Sequence, residues 1–419
     1  MDYRSGVARW SPPLLAVLAL AGTTVAFAGS APAARQAPRI TVTPAVSIAD
    51  EPVRMGVSGL APHESVTVAV RSVDAKGITW VSSTTFRADT RGRVDLARAA
   101  ATGGFYRGVW GMGAIATMQP TAIPAANAYF WGNEQRFTVS VRAKGRTLAS
   151  TAFRRRFSLH PIRLQETTLK DDGFVGYFSE PAISGKRPAV LVFGGSEGGV
   201  ATYLLAARLA AHGFPALALG YFKEPGLPQT LSNIPLEYFA KALRWLREQP
   251  HVDPNRVVAL GVSRGSEAAL LLGVHFPDLV HGVVAVVPAN VAVCSFPGCA
   301  GPAWTLGGKP VPYTRQFNEP HPTDDPDAVI PVERINGPIF LDCAGMDFVW
   351  DSCAYATAIV QRLDAHDFRY SHVLHRYPKA GHHVGVLIPY EPTVMDNPRA
   401  DEQARERQWP ELLAFLNRV

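Results

Sequence analysis

Gly261-Val262-Ser263-Arg264-Gly265 follows a short apolar run and precedes a helical pattern that starts near Glu267. Two glycines flanking a serine at this spacing leave room for a sharp strand-to-helix turn that lifts the hydroxyl out of a sheet, where it can attack an acyl carbon. The alternative is an ordinary turn serine, and the flanking strand and helix favour the nucleophile. A serine hydroxyl is a weak nucleophile until a base takes its proton. His382, at the end of Lys379-Ala380-Gly381-His382, stands in the loop after the last expected strand and fills that role; His383 is the adjacent alternative. His372 and His375 fall inside the strand pattern and read as structural histidines. An acid must then orient the imidazole and stabilise its charged form. Asp347, just past the strand Ile339–Cys343, fits this part, in the chain order Ser, Asp, His. Asp342, at mid-strand, would lie buried beneath the site, and Asp351 reads as the cap of the following helix.

Attack on an acyl carbon creates a negative oxygen that needs donors. One is expected to be the backbone N–H of Arg264. A second is expected from Ser196 and Glu197, within Gly194-Gly195-Ser196-Glu197-Gly198-Gly199 after the run ending at Phe193. A phosphate-binding loop is the competing reading, but the Gly-Lys-Ser/Thr ending and the G-x-G-x-x-G spacing are both missing. No step in this chemistry calls for a metal or an organic cofactor.

These residues must be held by something, and the chain supplies two grammars. From 39 to 157, Val66, Val68 and Val70 alternate with Thr67, Ala69 and Arg71, and Phe137, Val139 and Val141 alternate with Thr138, Ser140 and Arg142. Period-two patterning punctuated by turn pairs such as Lys76-Gly77 and Arg91-Gly92 predicts an all-β sandwich domain. Arg154-Arg155-Arg156 reads as a solvated edge or linker. From 161 to 419, apolar runs such as Ala189–Phe193, Ala216–Leu219, Val257–Leu260 and Val283–Val287 alternate with helical patterns, one carrying Leu236, Phe239, Ala240, Leu243 and Leu246 on a single face. Continuously apolar strands separated by helices predict a mainly parallel sheet covered on both faces, the α/β-hydrolase fold, with reactive groups at the carboxyl ends of its strands.

The 419 residues, 47% hydrophobic and 18% charged, allow two or three folded units and exclude a disordered or collagen-like chain. A formal charge of +6 is spread without a dominant basic block, so nucleic acid is not an expected partner. Arg4 and Arg9, an uncharged stretch from Leu14 to Ala28 and the ending Ala26-Phe27-Ala28 match a secretory signal peptide over 1–28, followed by a Pro-rich tail over 29–38. The stretch is shorter than the ~20 residues that span a bilayer, so a retained anchor is the second reading. Export permits disulfides: Cys294 with Cys299 and Cys343 with Cys353 are the expected pairs, against free buried thiols. Neither spacing follows a zinc pattern. The segment from Cys294 to Pro322, with Trp304 and Tyr313, reads either as a cap over the pocket or as a structural loop.

The chain resembles the acyl-CoA thioesterases related to bile acid-CoA:amino acid N-acyltransferase. The resemblance rests on Asp50-Glu-Pro-Val53, Gly59-Leu-Ala-Pro62, Phe86-Arg-Ala-Asp89 and Val94-Asp-Leu96 in the first half. In the second it rests on Val192-Phe-Gly-Gly-Ser-Glu-Gly-Gly199, Leu236-Glu-Tyr-Phe239, Gly261-Val-Ser-Arg-Gly-Ser-Glu267, Ile330-Pro-Val-Glu333 and Tyr377-Pro-Lys-Ala-Gly-His382. It implies a Ser263, Asp347, His382 triad and an acyl-enzyme intermediate. Amino-acid-transferring members carry Cys where this chain has Ser263, so hydrolysis of a small-molecule acyl thioester is the implied reaction. An exported carboxylesterase or lactone hydrolase is the alternative, followed by an acyltransferase and a non-catalytic binding protein.

Overall fold

The computed structural model describes residues 36–122, 129–392 and 398–419. The expected signal peptide and most of the expected tail lie outside them. Eight strands form one sheet: β1 Ile162–Thr167, β2 Val175–Pro181, β3 Arg187–Phe193, β4 Ala216–Gly220, β5 Val252–Val262, β6 Gly282–Val286, β7 Ile339–Ala344 and β8 His372–Tyr377, in the order β1-β2-β4-β3-β5-β6-β7-β8. The pairs from β4 through β8 are parallel, and β2 runs antiparallel to both β1 and β4.

The parallel strands are apolar along their length because helices cover both faces. On β3, Ala189, Leu191 and Phe193 point into one core with Phe239 and Leu243 of α2 (Leu236–Arg247) and Leu270 of α3 (Arg264–His275). Val190 and Val192 point the other way, against Leu205 and Leu209 of α1 (Tyr203–Ala211) and Leu412 and Phe415 of α5 (Pro398–Arg418). Helix α4, Ser352–Ala365, follows β7, and Asp351 caps it by accepting the Ala354 N–H at 3.0 Å. This is an α/β-hydrolase fold preceded by an all-β sandwich.

In the sandwich, Arg39–Thr43, Arg54–Ser58 and Val94–Asp95 face a larger sheet built on Ser65–Val73, Thr79–Arg87, Glu134–Ala143 and Arg146–Arg156. Val68 pairs with Val141 and Val70 with Val139, so the alternation seen in the sequence fills a shared core with Met55, Trp80 and Phe153. One expectation fails here. Arg154 and Arg156 are exposed beside Glu134, but Arg155 is fully buried. Its guanidinium donates to the carbonyl of Glu51 at 2.6 Å and reaches that of Tyr390 at 3.5 Å. Period-two alternation sends the middle arginine inward while its neighbours face solvent.

The same seam holds further buried charge. Asp50 meets His212, accepts from Trp409 Nε1 at 2.7 Å and lies 3.9 Å from Arg208, which pairs with Glu391 at 2.9 Å. Burial draws the Arg155 guanidinium down to about 10. In the segment from Cys294 to Pro322, Trp304 is buried in the core and its indole N–H reaches Glu267 at 2.9 Å.

Candidate active site

Strand β5 ends at Val262, and α3 begins at Arg264, three residues earlier than the sequence pattern suggested. Between them Ser263 takes φ 56° and ψ −125°, a left-handed turn that no strand or helix continues. Its N–H donates to the Val286 carbonyl at 3.0 Å, tying the turn to the end of β6. Its carbonyl accepts from the N–H and hydroxyl of Ser266 at 2.8 and 2.6 Å. A Cβ on Gly261 would lie 2.1 Å from the Gly265 carbonyl oxygen, and one on Gly265 would lie 2.3 Å from that of Gly194. The two glycines are therefore steric requirements of the turn.

Beyond β7, Asp347 projects its carboxylate inward, 1% exposed, while the residues around it face solvent. Oδ1 accepts from His382 Nδ1 at 2.8 Å and from the Val349 N–H at 3.0 Å; Oδ2 lies 3.0 Å from the same ring nitrogen. A proton on Nδ1 leaves the Nε2 lone pair free to act as a base. The indole of Trp350 packs edge-on to the imidazole at 6.2 Å and donates to the Val287 carbonyl at 3.1 Å.

Val262, the residue before Ser263, packs with Val287, Ala344, Ala380 and Val384. A Cβ on Gly385 would come within 2.6 Å of Val262 Cγ1. The turn that starts at His382 thus lies against the base of the serine elbow, and the three expected residues stand at the carboxyl ends of β5, β7 and β8. No hydrogen bond joins Ser263 Oγ to His382 among the described residues. Catalytic hydrogen bonds in ligand-free sites are often open and tighten on binding.

The alternatives separate cleanly. His383 makes no bond to Asp347, and its Nδ1 is buried without a partner. Asp342 is fully buried and holds His375 at 3.0 Å, while His372 pairs with Asp364 at 3.0 Å. Burial pushes the Asp342 carboxyl up, and the Asp342 bond pushes His375 up. Asp351 is the α4 cap.

The Arg264 N–H opens α3 and has no backbone acceptor among the described residues. In the facing loop, the Tyr221 hydroxyl donates to the carbonyls of Gly194 and Gly195 at 2.9 and 3.0 Å. A trans peptide then turns the Ser196 N–H away from Tyr221. The Glu197 carboxylate accepts the Gly195 N–H at 3.0 Å, and its carbonyl accepts from Lys223 at 3.0 Å. Among the described residues the N–H groups of Ser196 and Glu197 find no backbone acceptor, and Gly195 packs so tightly that a Cβ there would sit 2.8 Å from Ser263 Cβ. Burial keeps the Tyr221 phenol well above its ordinary value, so it remains a donor.

Two supports of the elbow and its facing loop were not visible beforehand: Tyr221 and the hydrogen bonds around Glu267. Arg264 reaches Glu267 at 2.5 Å and donates to the carbonyls of Val293 and Cys294 at 2.7 and 2.9 Å. Glu267 also accepts the Val293 N–H at 3.1 Å. Both expected disulfides are present, Cys294–Cys299 and Cys343–Cys353.

Two family descriptions match the chain: the acyl-CoA thioester hydrolase/BAAT N-terminal region over 50–168, and the BAAT/acyl-CoA thioester hydrolase C-terminal region over 234–299 and 308–419. Acyl-coenzyme A thioesterase 6 of Mus musculus is 30% identical over 410 residues, covering 88% of this chain and 93% of that protein. The mitochondrial acyl-coenzyme A thioesterase 2 of Homo sapiens is 28% identical over 406 residues, covering 88% of this chain and 81% of that protein. Among solved structures, a thermostable esterase from Pseudomonas putida aligns with a TM-score of 0.41 at 19% identity, over 61% of this chain and 83% of that one.

Proposed function

From the premise that the chain belongs to the acyl-CoA thioester hydrolase/BAAT family, we propose that it hydrolyses acyl thioesters through an acyl-Ser263 intermediate. The observation that carries this reading is the 2.8 Å Asp347–His382 pair, packed against the left-handed elbow of Ser263. His382 Nε2 takes the Ser263 proton as Oγ attacks the acyl carbon, and Asp347 stabilises the imidazolium. The oxyanion is received by the N–H of Arg264 and by those of Ser196 and Glu197. The thiolate leaves with a proton from His382. Water, deprotonated by the same histidine, then attacks the ester carbonyl and releases the acid and the serine. Serine at position 263, where the amino-acid-transferring relatives have cysteine, supports water as the acceptor.

The two disulfides support a place for this reaction outside the reducing cytoplasm, after removal of a leader over 1–28. A panel of acyl-CoA thioesters and matched oxygen esters tests the reaction. Thioester turnover should dominate, and Ser263→Ala should lower kcat by about 10⁶-fold, the order observed when a nucleophilic serine is removed. Faster ester turnover across the panel would instead make the protein an exported carboxylesterase or lactone hydrolase.

A further inference from the structure

The loop that presents Asp347 is closed at its base by a covalent bond. Cys343 is buried near the end of β7, Cys353 stands in the first turn of α4, and the two are ten positions apart in sequence. Between them the chain leaves the sheet, places Asp347 against His382 and returns. Little burial holds its middle. Met346, Phe348 and Val349 are 64%, 66% and 48% exposed, and of these Phe348 meets the rings of His382 and His383 edge-on at 6.0 and 5.4 Å. Non-covalent ties run along the loop: the Met346 N–H donates to the Ala380 carbonyl at 2.9 Å, buried Trp350 donates to the Val287 carbonyl at 3.1 Å, Ser352 Oγ takes the Ala344 N–H at 3.2 Å, and Asn318 takes the Asp351 N–H at 2.7 Å. A short loop with an exposed centre keeps its shape by having its ends fixed, because fixing them removes most of its alternative conformations.

The other disulfide stands in contrast. Cys294–Cys299 closes a segment that the Arg264–Glu267 pair already grips through the Val293 and Cys294 carbonyls and the Val293 N–H. Cys294 and Ser295 are buried, and although Phe296 is 43% exposed, its N–H and carbonyl both pair with Leu231 at 3.0 Å, so backbone hydrogen bonds hold this segment beside the sulfur bridge.

We propose that Cys343–Cys353 is a positioning device for the acid: it holds Asp347 in line with His382, and hydrolysis depends on its oxidised state. This inference rests on the triad reading above. Cys343 and Cys353 touch no substrate; they act through Asp347.

The experiment is a double-mutant cycle on the full chain. Cys343→Ser/Cys353→Ser should lower kcat about 10- to 100-fold, the range expected when a reacting group shifts by about 1 Å, with KM within about twofold. In an Asp347→Asn background the same pair of changes should cost nothing more, because the group being positioned is already lost. Cys294→Ser/Cys299→Ser should leave kcat within about twofold. If the Cys343/Cys353 variant does not fold, the Cys294→Ser/Cys299→Ser protein is treated under native conditions with a phosphine reductant and then reoxidised. Activity should fall and return while the near-ultraviolet circular dichroism is retained. Unchanged kcat, an equal loss in the Asp347→Asn background or an equal loss from Cys294→Ser/Cys299→Ser overturns the inference. Reaction of Ser263 with a serine-directed phosphonate separates the two claims: a wild-type protein that does not react fails the triad reading, and one that reacts but ignores the disulfide fails this inference alone.

Discussion

Gly195 leaves Ser263 so little room that one methyl group decides whether an acyl carbon can reach it. A Cβ at Gly195 would also lie 3.2 Å from the Arg264 nitrogen, the expected oxyanion donor. Gly195→Ala should therefore lower kcat by about 10²-fold, the scale of a lost oxyanion donor, and also lower the melting temperature, because the added methyl overpacks the elbow; steady-state kinetics beside a thermal scan would check it. At this scale the sequence was most readable where chemistry fixes residue type. Ser263, Asp347 and His382 could be named as candidates because each sits just past an expected strand, and the rivals Asp342 and Asp351 were assigned by their positions relative to the strand and helix ends. Tyr221 was not readable. It orients its loop by donating to two carbonyls, and a tyrosine after a buried strand carries no pattern that distinguishes this from packing. The carboxylate role of Glu197 was hidden for the same reason, since only its backbone had a foreseeable task.

Helix α3 begins at the nucleophile and is pinned by a buried ion pair of its own first turn. Glu267 accepts from Arg264, Trp304 and Val293 at once, the pattern of an ionised carboxylate, although burial pushes its carboxyl up. Glu267→Gln would leave the guanidinium of Arg264 buried without its counter-charge. A loss of about 3–5 kcal/mol is expected, read from the urea midpoint, with activity falling as the elbow loosens. The strands β3 to β7 and the helices between them were legible from their apolar periods, while β1 and β2, at the antiparallel edge of the sheet, were not. Helix α5 was not, and the reason lies in its residues. Its first turns bury Asp401, Glu402, Arg405 and Gln408, so the face toward the protein is polar until Trp409, Leu412 and Phe415. A hydrophobic period cannot report a helix whose inward side is charged. That helix also accepts the Gly381 N–H on Asp401 at 2.5 Å, and so reaches the loop of His382.

Across the whole molecule the sandwich and the hydrolase core meet through buried charge as well as through apolar packing such as Tyr390 against the sandwich core, and the charge gives their union a pH dependence. Trp110 of the sandwich donates to Glu406 of α5 at 2.7 Å, and burial pushes the Glu406 carboxyl from 4.5 up to about 7. The folded state thus holds that proton more tightly than the unfolded chain does. The resulting stability is complete below pH 4.5 and is lost as the pH rises through about 7. Glu406→Gln should flatten this part of the profile, which melting temperatures measured from pH 4.5 to 7.5 would reveal as a smaller difference between the ends. The split into a β layer and a parallel α/β layer could be read from the sequence, but the ionic seam could not, because an arginine inside a triple-arginine run looks like surface. Ser263 places a different tension on the whole chain. Its left-handed backbone costs about 1–3 kcal/mol for any residue with a side chain, and glycine alone would relieve it. A lineage that exchanged this alcohol for glycine would gain a sturdier fold and lose its reactive centre, so decay into an inert scaffold runs downhill and only selection for turnover opposes it.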